Sequence, residues 1–265
     1  MPKKNYLSRE EQILYTTIST TDVIDHDTLH DLFPHYTPQK INKICHSLIT
    51  KGYLYPLKRG AYLVNPTPST HPIIKNPFTL APYITNGYLG FSSALRLYDL
   101  IDYESYTIFI VTKKKSSQTT IGNYVYKTIA MGRKATGTTY YKNLYVSTIE
   151  KTIFDCFYRP QYAGGYQEIA KALLSIDHIP WTKIRSYFHS FASDAHYQRT
   201  GYILDLLHIH QSLQVPPDLI KEFKTHVHTK TRLIPSRSSR GVYSNEWKLI
   251  DNSGTHSLRT TETTP

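Results

Sequence analysis

The chain has 265 residues, enough for two small domains or one large one, and its 40% hydrophobic content excludes a disordered polymer. Against 20 Asp plus Glu stand 31 Lys plus Arg, a formal charge of +11 that points to a polyanionic partner, nucleic acid or membrane surface. No stretch approaches the length of apolar sequence that a membrane-spanning helix needs, and residues 1–12 lack the apolar core of a signal peptide, so the expected location is the cytoplasm.

Residues 1–66 parse into a compact unit. Ser8 and Glu11 match a capping box ahead of a helix whose apolar stripe includes Ile13, Leu14 and Ile18. Asp25 or Asp27 can cap a short second helix carrying Leu29, Leu32 and Phe33. Thr37 as N-cap and Pro38 at the first helical position start a third helix, with Ile41, Ile44, Cys45, Leu48 and Ile49 inward and Gly52 at its end. Two short strands follow, residues 53–57 and 61–64, around the basic turn Lys58-Arg59-Gly60. Three helices and a β-hairpin in this order predict a winged helix-turn-helix.

Residues 67–77, at the end of a stretch with four prolines from Pro66 to Pro77, read as a linker or crossing segment. Residues 78–252 read as a larger mixed domain, so the predicted class is α+β. Expected there are helices at 91–97, 150–157 (capped by Ser147 or Thr148), 167–174, 181–188 and 200–213, with strands at 106–111, 124–129 and 144–146. Residues 253–265, rich in Thr and Ser, are expected to be a disordered tail. Cys45 and Cys156 are too few for a disulfide framework, and each falls in an apolar helical pattern, as a buried small hydrophobe would.

Charge is unevenly distributed. Between Phe33 and Tyr98 there is no Asp or Glu. Setting aside the inward residues of the third helix leaves Gln39, Lys40, Asn42, Lys43, His46 and Ser47, donors suited to base edges and phosphates in a major groove. Lys58 and Arg59, at the wing tip, suit a backbone phosphate or the minor groove. Further basic residues could extend the footprint or form ordinary solvated surface: Lys113, Lys114, Lys115, Arg133 and Lys134 in one acid-free region, and Lys230, Arg232, Arg237 and Arg240 near the end.

Signals for catalysis are weak. There is no Walker or Rossmann glycine loop, and Gly164-Gly165 is too short to be one. The pairs His208/His210 and His226/His228 lack acidic or cysteine partners at metal-binding spacing, so neither a metal nor another cofactor is expected. Asp99, Asp102 and Glu104 form a small acidic cluster, fewer carboxylates than two-metal nucleases use. Asp155 and Glu168 read as helix caps or salt-bridge partners. The expected protein is not an enzyme and has no catalytic residues. The alternatives are a winged-helix protein-interaction adaptor without specific DNA binding and a DNA-processing enzyme.

Several phrases resemble the AbiEi antitoxin family, predicted regulators of viral defence systems. They include Leu7-Ser8-Arg9, the wing residues 53–62, Gly87 to Leu95 leading to Leu100, and Val146 to Asp155, similar to the family's STPEKTILD phrase with Ile149 where proline is frequent. Arg159-Pro160, Gly164-Gly165, Lys230 to Leu233 and Arg240 through Trp247 also fit, so the resemblance spans residues 7–252. It implies a winged-helix domain that represses its own operon by binding promoter repeats in double-stranded DNA. It also implies a larger antitoxin-like domain that counters an AbiEii-type nucleotidyltransferase toxin, in a type IV system without a stable complex.

Overall fold

Local capping chemistry starts each of the first three helices in the computed structural model, which describes residues 6–253. In α1 (Arg9–Ile18) Ser8 Oγ accepts from Glu11 N and the Glu11 carboxylate accepts from Ser8 N, the full capping box. Strand β1 (Val23–Asp25) comes next and was not read from the sequence. Asp25 ends it and caps α2 (His26–Leu32) by accepting from Thr28 N; Phe33, expected inside this helix, leaves helical geometry as its C-cap. Thr37 and Pro38 start α3 (Pro38–Thr50), and Lys51 closes it with Gly52 just beyond at φ +80°. A Cβ on Gly52 would lie 2.6 Å from the Ser69 carbonyl oxygen, so both backbone sign and space require glycine there.

Strands β2 (Leu54–Lys58) and β3 (Ala61–Val64) form the hairpin, with a register shift between Pro56 and Lys58, and β1 pairs antiparallel with β3 to give the order β1-β3-β2. Leu14, Ile18, Leu29, Ile41, Cys45, Leu48 and Leu54 close the core beneath this sheet, each 2% exposed or less. At about 1.5–3 kcal/mol for each large aliphatic side chain, this burial is what holds three short helices together. Asn65, fully buried, then ties the proline-containing stretch down: its amide donates to the Gly52 carbonyl at 2.9 Å, and its oxygen accepts from Ile73 N at 2.9 Å.

By internal packing the chain divides into two compact units, Met1–Tyr88 with Ser105–Gly132, and Leu89–Glu104 with Arg133–Pro265. The first also holds α4 (Ala81–Ile84), the outset of β4 (Tyr88–Leu89), and β5 (Thr107–Thr112), β6 (Ser117–Ile121) and β7 (Tyr124–Ala130). β7 pairs parallel with β5 and antiparallel with β6, and Tyr126, buried in β7, donates its hydroxyl to the Pro77 carbonyl.

The second unit opens with α5 (Phe91–Leu97), at the predicted bounds, and the antiparallel pair β8 (Thr138–Tyr141) and β9 (Leu144–Ser147), where Val146 pairs in parallel with Leu89. Helices α6 (Ile149–Tyr158), α7 (Tyr166–Leu174), α8 (Trp181–Phe191), α9 (Asp194–His210) and α10 (Pro217–Thr225) build its core. Strands β10 (Thr231–Arg232), β11 (Val242–Ser244) and β12 (Leu249–Asp251) form a small sheet ordered β10-β12-β11. Helix α9 runs from 194 to 210 rather than 200 to 213, and Thr148 caps α6 without a side-chain bond, two departures from expectation. The architecture is mixed α+β. Of the tail expected at 253–265, Ser253 is described and hydrogen-bonds to Asp251, while 254–265 lie outside the described residues, and no described helix is long and apolar enough to cross a membrane.

Candidate nucleic-acid interface

Helix α3 sorts its polar residues by position. With the apolar face turned to α1 and α2, Gln39, Asn42, Lys43 and His46 fall at i, i+3, i+4 and i+7, and all four are exposed. Lys43 forms no ion pair among the described residues. Lys40 and Ser47 lie along a different edge of the helix. The Lys40 ammonium pairs with Glu10 at 2.6 Å and sits 4.1 Å from the Tyr36 ring centroid. Ser47 hydrogen-bonds to Glu11. The two residues stitch α3 to α1, and the outward row is the other four.

Glu11 is the centre of that stitch. Its carboxylate, in a residue 6% exposed, accepts from Ser8 N and from Lys51 Nζ, both at 2.6 Å. Burial pushes this carboxyl up, but the bonds from Lys51, Ser47 and Ser8, with the Lys51 charge, outweigh it and bring the group down to about 2. The acid-free span from Phe33 to Tyr98 therefore contributes a cation, Lys51, that neutralises an acid from outside it.

At the hairpin tip Lys58 and Arg59 are both exposed. Lys58 lies 5.4 Å from the Tyr83 ring centroid, and Arg59 forms no ion pair among the described residues. Gly60 bends the tip at φ +77°, and its carbonyl accepts from His26 N, which anchors the hairpin to the start of α2. Lys113, Lys114 and Lys115 are exposed in the loop between β5 and β6, in the same compact unit as α3.

The other basic candidates belong to the second unit. Arg133 is exposed, whereas Lys134 lies 4.9 Å from the Tyr158 ring centroid and 6.0 Å from that of Phe191. Lys230 and Arg232 share a hollow with Arg199, a residue not singled out in the sequence; Arg237 lines the neighbouring cleft with Arg199, and Arg240 is exposed. The acidic cluster is loose: Asp99 accepts from Lys142 Nζ at 2.8 Å, while Asp102 and Glu104 are exposed. His208 and His210 sit two apart on a helix, so they point to different sides, and His226 pairs with Asp194 at 2.8 Å. No group of three or more potential ligands is placed to hold a metal among the described residues.

Asp155 is a salt-bridge partner, one of the two roles read from the sequence, but its complete burial and the burial of His196 escaped that reading. Lys151 and Asp155, both wholly buried on α6, pair at 2.5 Å, with burial pushing the lysine down and the aspartate up to about 6. Asp155 Oδ2 has no hydrogen-bond partner. The i, i+4 spacing of opposite charges inside an otherwise apolar run was the available signal. His196 is 5% exposed, with both ring nitrogens unpartnered among Phe154, Tyr158 and Phe188. Burial, with the charges of Arg199 and Lys134, pushes its imidazole down to about 3, so the ring is neutral.

No family model matches the chain, and no curated protein matches its sequence. Among solved structures it is similar to the crystal structure of the RV2827C protein from Mycobacterium tuberculosis. The TM-score is 0.66 and the identity 15%, over 93% of this chain and 92% of the other. At that identity the likeness is one of fold.

Proposed function

We propose that residues 6–66 are a winged helix-turn-helix and that the protein is a sequence-specific, DNA-binding transcriptional regulator. Helix α3 is its recognition helix and the β2–β3 hairpin its wing. The observation that carries this reading is the outward row of α3: Gln39, Asn42, Lys43 and His46, exposed on one stripe, with the neighbouring acids Glu10 and Glu11 already neutralised by Lys40 and Lys51. Amide and ammonium donors at that spacing match base edges and phosphates in a major groove. In this reading the exposed Lys58 and Arg59 meet the backbone beside it, and Lys113 to Lys115 offer further cations on the same unit.

By its resemblance to the AbiEi family, the chain represses its own promoter in the cytoplasm, and its second unit opposes an AbiEii-like nucleotidyltransferase toxin without a stable complex. In this reading the protein is not an enzyme and needs no cofactor.

The test is a substitution series in a fluorescence-anisotropy titration with the DNA upstream of the protein's own coding sequence. Asn42→Ala and Gln39→Ala should each cost about 1–3 kcal/mol on the preferred sequence and relax its specificity. Arg59→Ala should weaken all duplexes alike and reduce the salt slope by about one. Unchanged binding in all three variants would exclude this docking and favour a winged-helix adaptor for proteins.

A further inference from the structure

The second unit contains a cleft of about 770 Å³ enclosed by the end of α6, the start of α7, the start of α9 and the segment following β10. That volume is within the range of small-molecule sites. Its charged groups are of one sign. Arg199 and Arg237 line it, and no Asp or Glu does. Arg199 is half-buried and spends its Nε on the Arg232 carbonyl at 2.9 Å; no carboxylate among the described residues pairs with its guanidinium. Of the acids on the flanking helices, Glu168 pairs with Lys171 at 2.9 Å, Asp194 with His226 at 2.8 Å and the buried Asp155 with Lys151. Two helix N-termini open on the cleft, α7 at Gly165 and α9 at Ser193, and neither N-cap makes a side-chain hydrogen bond. Their dipoles add positive potential to that of the arginines.

His196 is the independent observation that points to a ligand. It lines the cleft, is 5% exposed, and has no hydrogen-bond partner for either ring nitrogen among the described residues. Leaving a buried polar group unpaired is costly, so such groups persist where something else satisfies them. The rest of the wall combines neutral polar side chains (Gln161, Ser193, Ser236) with an aromatic and aliphatic face at Tyr158, Tyr166 and Leu233.

We infer that this cleft binds a small organic phosphate, its phosphoryl group held by Arg199 and Arg237 and its body on the tyrosine-lined wall, with the His196 ring, whose nitrogens are closed to solvent in this structure, turning to donate to it. A phosphomonoester supplies several strong acceptor oxygens for divergent donors, and guanidinium groups suit it. A free inorganic anion would leave most of the volume and all of the aromatic wall unused. The cleft belongs to the unit that does not contain α3, and the inference does not depend on the DNA-binding reading.

Isothermal titration of the full chain with adenosine 5′-monophosphate, uridine 5′-monophosphate, inorganic phosphate and adenosine tests this. At least one of the monophosphates should bind at one per chain and more tightly than inorganic phosphate, and adenosine should bind at least about tenfold more weakly than its monophosphate. His196→Phe, a ring that fits among the same aromatic neighbours, and Arg199→Gln should each weaken binding by about tenfold or more, the loss of one charge-assisted or buried hydrogen bond. Arg237→Gln, at an exposed position where the guanidinium also donates to the Ser253 carbonyl at 3.2 Å, should weaken it as well. Absence of heat from both monophosphates up to about 5 mM, well beyond ordinary effector affinities, would overturn the inference. So would an affinity unchanged in Arg237→Gln and in whichever of the other two variants folds.

Discussion

Replacing Glu11 by glutamine tests how the α1–α3 stitch is built. The carboxylate is held at about 2 against its ordinary 4.5, so ionisation in the folded state is favoured by roughly 2.5 pH units, a ceiling of about 3 kcal/mol. Glutamine still accepts from Ser8 N and keeps the capping box, but it loses the Lys51 charge pair. Lys51 stays partly exposed and can turn to water. The expected loss at pH 7 is therefore about 1–2 kcal/mol, below the ceiling. A depressed folded-state value stabilises above the unfolded value of 4.5 and is lost as pH falls toward 2. The gap between wild type and Glu11→Gln should thus be constant from pH 7 to about 5.5 and smaller by about 1 kcal/mol at pH 3.5. Both tryptophans, Trp181 and Trp247, lie in the second unit, so their fluorescence is blind to this change. Urea titration read from the methyl resonances of Ile18 and Ile44, buried in the affected core, is the suitable assay. A gap of the same size at pH 7 and pH 3.5, or none at either, would refute the charge-pair account.

Two substitutions in the second unit have calculable signs. Lys151→Met leaves Asp155 buried without its cation and should cost about 3–5 kcal/mol, while Lys151→Met with Asp155→Leu should recover most of the loss; urea denaturation followed by tryptophan fluorescence checks this, and a double variant no more stable than the single would contradict it. Gly201→Ala sets two effects against each other in α9. Helix propensity favours alanine by about 1 kcal/mol, but its Cβ would lie 2.3 Å from ring atoms of the buried Trp247. Displacing that indole, which donates to Asp205 at 2.8 Å, should win, for a net loss of about 1–2 kcal/mol seen as a lower Tm, and an unchanged or raised Tm would show the ring to be looser than described.

The three helices and the hairpin at residues 9–64 were legible in the sequence because their signals are local. Ser8 with Glu11, Thr37 with Pro38, and Gly52 mark helix ends through chemistry confined to a few residues, and the inner face of α3 follows from its period. The predicted contact row was split by information that is not local. Lys40 and Ser47 meet Glu10 and Glu11 of another helix, which spacing within α3 cannot reveal. Missed strands share a cause as well. β6 and β8 are almost wholly exposed and carry polar or tyrosine side chains without apolar alternation, and β1 has three residues. In the second unit, His196 and Arg199 sit on a helix buried around most of its circumference, so no amphipathic stripe set them apart, and their meeting at one cleft depends on segments from four parts of the chain.

The central claim is that α3 reads DNA sequence. Its most direct test is a fluorescence-anisotropy titration of the purified chain against its own upstream duplex and a scrambled duplex of equal length, at two salt concentrations. The account predicts a preference of about 10³-fold or more for the native duplex that persists at the higher salt. Equal, weak binding to both duplexes that collapses with salt would mean that the +11 charge alone explains the affinity, and would contradict it.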